Sequence, residues 1–456
     1  MPKCGVYNEG ELKLLEVFEK FAKQRAGWVR PMRIREATRD NIALWAQVFD
    51  YPNPLWRDPE YAKDSRWGGI IAPPFYQEGI MLVSWMPDPV PEAGFPAGGG
   101  MLGEDWDFHT PVRIGDSFKI WREKPFLRDI STEDSPLRRF ICMQHDENMY
   151  NQHDELVTHT KCYMAVNYSP EMLPFRPEPE EAPVFTPEQL DYVQGVYEAE
   201  VLRGADTLFW EDVSVGDSLP ESAMGPTTIW DMALIAVARQ DQDLVPMNEQ
   251  IKDRSKFIGM ETRNPRTNVI ENFMEGHLVA NGGHQGAVER NSICRCITNW
   301  MGDDGFITRF NWRQTKGSCI GNSLVSHARV KGKRIENGRY LVDLDAWNEY
   351  IDGTICAFAD VTVELCSLSK PGSGEAALPN CAFAPGDSVV IAPRRDIGWF
   401  AYAGASAVVK QRFSNMEYYD GMDNFLCLEI TGAGDESLIG TTISLYADSV
   451  NSAAGI

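Results

Sequence analysis

The sequence has no run of about 18 apolar residues, so it offers no helix that would cross a membrane. It has no Cys-x-x-Cys pair, and its 10 cysteines are scattered. Only Cys294 and Cys296 lie close together, and two residues apart in one element they do not reach disulfide geometry. No Cys/His run has zinc spacing, so no metal site is expected. Phosphate loops of the GxxxxGK[ST] type, or GxGxxG in a strand–helix context, are missing, as is a Gly-x-Ser-x-Gly elbow. Positive charge is scarce. Lys and Arg number 43 against 66 Asp and Glu, giving a net charge of −23. Such a surface repels phosphate backbones and anionic lipid, so neither nucleic acid nor membrane is an expected partner. Residues 1–20 mix acids with apolar side chains and lack a signal-peptide pattern. Together with reduced, buried thiols, this gives a cytoplasmic expectation.

What is present suits a multidomain globular chain. Its 456 residues allow two to four domains at roughly 100–200 residues each. The 13 Trp argue against disorder, because such side chains need burial. Leu14, Leu15, Phe18 and Phe21 fall at helical spacing in a lead-in segment. Thr38 caps a helix that carries Ile42, Trp45, Ala46 and Phe49 on one face. A Pro-rich turn, Tyr51-Pro-Asn-Pro54, ends it, and the apolar run Phe75–Trp85 predicts a long central helix. From Glu104 to Val166 the pattern changes to strands, with a turn at Asn151-Gln-His-Asp154. Helix first and antiparallel strands after is an α+β order.

The same order recurs. Ile114-Gly-Asp-Ser117 has a counterpart in Ile320-Gly-Asn-Ser323. Tyr150-Asn151 before one strand is echoed by Trp347-Asn348, and the helix Thr38–Phe49 by Thr228–Arg239. A duplicated unit explains the shared order. The expected division is a first unit over 1–167, a Pro/Glu-rich linker over 168–208, a second unit over 209–368 and a small all-β appendix over 381–456.

These segments resemble a family. Asn53-Pro-Leu-Trp-Arg-Asp-Pro-Glu-Tyr-Ala62 with Trp67-Gly-Gly-Ile-Ile-Ala-Pro-Pro74 resembles the first half of two-unit MaoC-like acyl-CoA dehydratases. Trp210-Glu-Asp-Val-Ser-Val-Gly-Asp217 and Thr298–Phe306 resemble the second half. The resemblance covers about residues 35–365. It implies a double hot-dog: two long helices, each wrapped by curved antiparallel sheet, with a CoA thioester at the seam. It also implies a hydro-lyase without metal or other cofactor, CoA being part of the substrate, working as a homo-oligomer (dimer or higher).

The family's reactive motif is Gly-Asp-x-Asn-Pro-(Ile/Leu)-His, and this chain departs from it twice. In the first half Trp56 replaces the His and Tyr51 the Asp, which makes that half a substrate-covering one. In the second half Asp241 stands at the Asp position, with no His at the expected distance. A charged insertion, Asn248–Thr267, precedes Glu275–His284. If it loops out, His277 can rejoin Asp241, with His284 as the competing choice. Asp241, His277 and His284 are therefore the expected catalytic residues. Asn53, Trp56, Gly68, Gly69, Asn281, Gly282 and Gly283 are expected to touch substrate. Arg309, Arg313, Lys331–Arg334 and Arg394-Arg395 are candidate contacts for CoA phosphates. The abundant aromatics allow a bulky or aromatic acyl group. A hot-dog thioesterase, or a catalytically silent acyl-CoA-binding or structural subunit, are the alternatives.

Overall fold

In the computed structural model of the chain, the residues described are 9–29, 34–81, 100–130, 141–167, 184–239, 286–315, 321–368, 376–378, 381–393, 400–415 and 418–453. The first unit runs α1 (Glu9–Arg25), β1 (Gly27–Val29), α2 (Arg39–Val48), α3 (Pro59–Ala62), α4 (Glu78–Met81), β2 (Gly100–Phe108), β3 (Phe118–Arg122), β4 (Phe126–Asp129), β5 (Ile141–Asn151) and β6 (Leu156–Asn167). After α5 (Pro187–Ala199), the second unit runs β7 (Ser222–Met224), α6 (Ile229–Ala238), α7 (Gly286–Met301), β8 (Phe306–Gln314), β9 (Leu324–Glu336), β10 (Arg339–Tyr350) and β11 (Ile355–Glu364). The short β12 (Ala376–Ala377) returns to pair with β9.

The duplication is visible in hydrogen bonds. Thr38 and Thr228 each cap their helix through a reciprocal box, with Asn41 and Asp231 as the returning residues. Each cap is worth about 1 kcal/mol. In front of each cap the same clasp forms. The Gly115 N–H donates to the Ala37 carbonyl at 2.8 Å, and the Gly321 N–H to the Thr227 carbonyl at 2.8 Å. Both glycines sit at positive φ, 90° and 95°, where a side chain would be strained.

All strands of both units join one 12-stranded sheet in the order β1-β3-β5-β6-β2-β8-β11-β10-β9-β12, with β4 on β5 and β7 on β9. The units meet where β2 pairs antiparallel with β8, from Gly103↔Arg313 to Asp107↔Arg309. One contiguous core, including Trp45, Phe75, Trp106, Phe310 and Trp312, runs beneath this seam through both units. The expected α+β double hot-dog is therefore what forms. The small all-β appendix is also present: β13 (Ser388–Ile391), β14 (Ser406–Arg412), β15 (Phe425–Gly432), β16 (Thr442–Tyr446) and β17 (Val450–Ser452) make a separate five-stranded sheet.

Two expectations change. The segment taken as linker, 168–208, holds α5, which packs Val193 and Val196 against Ala223, Val325 and Ile351 of the second unit. The Pro and Glu of its first twenty residues made the whole stretch read as solvated. The expected helix Phe75–Trp85 opens as turns and becomes α-helical only at Glu78; residues 82–85 lie outside the described ones. No described helix is long and apolar enough to cross a membrane.

A buried imidazole ties the second unit's hairpin to its edge. His327 on β9 lies 3.1 Å from Glu221 through Nδ1 and 3.3 Å from Glu349 through Nε2. It stacks on Trp347 at 5.4 Å. Burial alone would lower its pKa, but the two carboxylates outweigh that and raise it to about 9. The folded value exceeds the unfolded one, so the contribution is complete below about pH 6.5 and is lost as pH rises through 9. Its size is ~3 kcal/mol. Urea unfolding of wild type and His327→Gln should therefore converge between those pH values. A constant gap would remove the imidazolium from the stability account.

Candidate functional site

α7 is buried on every side from Ala287 to Met301 although it carries Glu, Arg, Asn, Ser and Thr. Each polar side chain must then find a partner. Asn291 accepts from the Tyr51 hydroxyl at 2.9 Å and donates to the Ala287 carbonyl. Ser292 meets Ser326, which donates to Asn348 at 2.7 Å. Glu289, in the first turn, accepts from Gln314 at 3.0 Å on both oxygens. The helix begins at Gly286, packed against the Trp312 indole so closely that a Cβ would come within 2.8 Å of the ring. The first-turn N–H groups have no partner within the helix and carry the positive end of its dipole.

A cleft of about 380 Å³ reaches this first turn at Val288. One wall is α2 with Leu44, Gln47 and Val48, continuing to Asp50; the other is α6 with Asp231, Leu234 and Ile235. Tyr197 and Met224–Thr227 close the end. The cleft thus lies between the two copies of the same capped helix. The Arg295 guanidinium, 5.5 Å from the Tyr197 ring, is engaged: it binds Asp50 at 3.0 Å, Glu200, and the Ala223 carbonyl.

Beside the cleft a buried charge cluster joins the units. Arg290 of α7 donates to Glu78 of α4 and Glu104 of β2, and Arg239 at the end of α6 pairs with Glu78 at 3.2 Å. All four side chains are at most 8% exposed. Burial pushes the Glu104 carboxyl above its usual range, with Arg290 opposing. Next to the cluster is a small cavity lined by Glu78, Met81, Glu104, Trp106, His145, Glu147, Thr160 and Cys162. Burial, with Arg122 nearby, depresses His145 to about 3, so its ring is neutral. Sequence reasoning missed this cluster. The available signal was Glu78 alone in the apolar run after Pro74, a carboxylate that needs a buried cation.

Only four of the expected site residues, Asn53, Trp56, Gly68 and Gly69, are among the described ones. Asp241, His277, His284, Asn281, Gly282 and Gly283 lie outside the described residues, as do Asn248–Thr267 and Arg394-Arg395. Asn53 and Trp56 do not line the cleft. Asn53 donates to Asp303 at 2.6 Å and accepts from the Leu55 N–H, so it locks its loop to the chain just beyond α7. Trp56 is buried beside Tyr51, their rings 6.5 Å apart. The two aromatics serve there as packing. Gly68 and Gly69 follow Trp67, whose Nε1 donates to the Asp303 carbonyl, and also sit away from the cleft. Asp303 is about 20 Å along the axis from the start of α7. The cations proposed for CoA phosphates are already paired: Lys331 with Asp345 and Asp360, Arg309 with Asp360, Arg313 with Asp105, and Arg334 with Asp343. Lys333 donates to the Val213 carbonyl. Among the described residues no group of three or more His, Cys, Asp or Glu is placed to hold a metal ion.

Arg290→Met should destabilise the protein by about 3–5 kcal/mol, since two carboxylates lose their shared cation in the interior. Adding Glu78→Gln and Glu104→Gln should recover much of that loss in urea unfolding. A triple variant as unstable as the single one would show that Arg290 acts by packing rather than charge.

Residues 27–160 match the family described as the FAS1-like dehydratase domain region. No curated protein matches significantly. Among solved structures, a MaoC-like dehydratase aligns at 14% identity over 76% of this chain and 99% of its own, with a TM-score of 0.48. A putative MaoC domain dehydratase from Chloroflexus aurantiacus aligns at 13% identity over 74% and 96%, TM-score 0.41. A conserved Mycobacterium tuberculosis protein described as having a double hot-dog fold aligns at 11% identity over 74% and 96%, TM-score 0.42. The dehydratase-region match falls on the first helix-and-strand unit, and the second unit repeats that unit's capped helix and glycine clasp on the same sheet.

Proposed function

We propose that the chain is a hydro-lyase that adds water reversibly to a 2-enoyl thioester, with CoA as the thiol carrier. The observation that carries the reading is the placing of Glu78. Its carboxylate holds both Arg239 and Arg290. It thereby fixes the end of α6 and the start of α7, the two described ends that flank residues 240–285. The expected acid–base residues belong to that stretch of sequence: Asp241 stands two residues after Arg239, and His284 two residues before Gly286.

In this reading the thioester carbonyl meets the first-turn N–H groups of α7, which stabilise the enolate oxygen as charge develops. Asp241 with His277, or with His284, removes a proton from water as it attacks the β-carbon and returns one to the α-carbon. The thioester supplies the acidity, and no metal or further cofactor is invoked. The first unit covers the substrate with its Tyr51 and Trp56 loop packed shut. A cytoplasmic location suits the eight described cysteines, all of which are free thiols. Assembly as a homo-oligomer, dimer or higher, belongs to the same proposal.

A panel of enoyl-CoA thioesters, aromatic acyl groups included, tests the reaction. Loss of the conjugated absorbance without release of free thiol is the expected outcome. Free thiol would mean a thioesterase, and ligand-induced stabilisation alone a silent acyl-CoA-binding subunit. Asp241→Asn and His277→Ala should each lower turnover roughly 100-fold or more. His284→Ala takes the place of the latter if the other imidazole serves. Full activity in all three would exclude these residues from the mechanism.

A further inference from the structure

The C-terminal five-stranded module lies on the outer face of the large sheet and touches both units. Its Phe413, Tyr418, Tyr419, Met422, Phe425 and Tyr446 form one buried cluster with Cys142 and Tyr163 of the first unit and Ile355 and Phe358 of the second. Polar anchors surround this contact. Lys331 donates to the Gly421 carbonyl at 2.8 Å, and Asp345 accepts from Asn424 at 2.8 Å and from the Tyr446 hydroxyl at 3.1 Å.

The module meets the seam at Tyr418. This residue has φ 93°, a left-handed conformation that costs a bulky residue of order 1–3 kcal/mol and persists only where its surroundings hold it. Arg313 of β8 holds it. Its Nε donates to the Tyr418 carbonyl at 2.7 Å, and its guanidinium stacks 4.3 Å from the Tyr418 ring and 4.9 Å from the Tyr163 ring. The same guanidinium pairs with Asp105 of β2 at 2.7 Å, across the seam. The Tyr418 hydroxyl would stand 3.0 Å from a Cβ at Gly103, the β2 residue opposite Arg313.

Side chains alternate along a strand. Arg313 therefore points to the module while its neighbours Trp312 and Gln314 point inward, and both touch the start of α7: Trp312 packs on Gly286, and Gln314 donates to Glu289. We infer that the C-terminal module is an internal clamp on the seam between the units, and that Arg313 and Tyr418 are positioning residues for the first turn of α7, acting through β8. The inference rests on the reading that this turn borders the reacting thioester.

Hydrogen exchange on the full-length protein without substrate tests it. Arg313→Met and Tyr418→Ala should each speed exchange of peptides covering 286–290 and 310–314 by tenfold or more, leaving the β9–β10 hairpin as in the parent. Tyr418→Phe, which keeps ring and carbonyl, should match the parent. Arg313→Lys, a milder change that keeps charge but not the flat stack, should give a smaller rise at the same peptides and stands in if the stronger variants fail to fold. With an enoyl thioester as probe, Arg313→Lys should lower kcat severalfold at an unchanged KM. Faster exchange confined to 400–453, with 286–290 unchanged in every variant, would overturn the inference. Because exchange is read without substrate, an absence of turnover in the parent protein would count against the hydro-lyase reading alone.

Discussion

One guanidinium organises the interior. Arg290 has left water completely, and what makes that tolerable is the pair of carboxylates that come to it from the other unit, Glu78 and Glu104. Desolvating such charges costs several kcal/mol each, so the cluster adds little net stability over a well-packed apolar core. What it contributes is uniqueness. α7 can rotate or slide against α4 and β2 only by stranding a charge, so the two units have one favourable mutual placement. The cleft between α2 and α6, and the first turn of α7 that it reaches, inherit their geometry from that placement.

The duplication explains how labour is divided. Both units keep the capped helix and the glycine clasp in front of it, because those features set the helix at a fixed angle to its sheet. The loop after the helix is where they part. In the first unit Tyr51 and Trp56 turn inward, and Asn53 is bound to Asp303. That loop packs inward and supports α7 of the other unit through the Tyr51–Asn291 hydrogen bond.

The architecture was legible in the sequence because local signals for it are redundant. Thr38 and Thr228 read as caps, the Gly-Asp and Gly-Asn turns read as turns, and strand alternation marked both sheets. The pairing of β2 with β8 was not legible. Neither strand's residues name their partner, and the registration follows from which faces bury what. The charge cluster was hidden for a related reason: Glu78, Glu104, Arg239 and Arg290 are far apart in sequence, and each alone resembles surface charge. The inward packing of Asn53 and Trp56 was not legible, because motif spacing places a loop but not the direction of its side chains. α5 escaped notice because half its face is solvated and only Val193 and Val196 are fully covered.

The seam carries a second arginine for the same physical reason as the first. Glu104 and Asp105 are consecutive on β2, so they face opposite sides of the sheet. The inward one meets Arg290 on α7, and the outward one meets Arg313 on β8 beneath the C-terminal module. An outer sheet face with a charge pair exposed to water would gain little from it, since solvent screens such pairs to about 0–1 kcal/mol. Covered by Tyr418 and its aromatic neighbours, Arg313 is only 3% exposed, and the pair acquires the orientational stiffness of its inner counterpart. The module and the charge pair therefore depend on each other. Without the cover the pair is too weak to fix the seam, and without Arg313 the Tyr418 carbonyl loses the donor that holds its left-handed backbone. A single strand registration is thus fixed from both faces, which is what a cleft formed between two otherwise separable units requires.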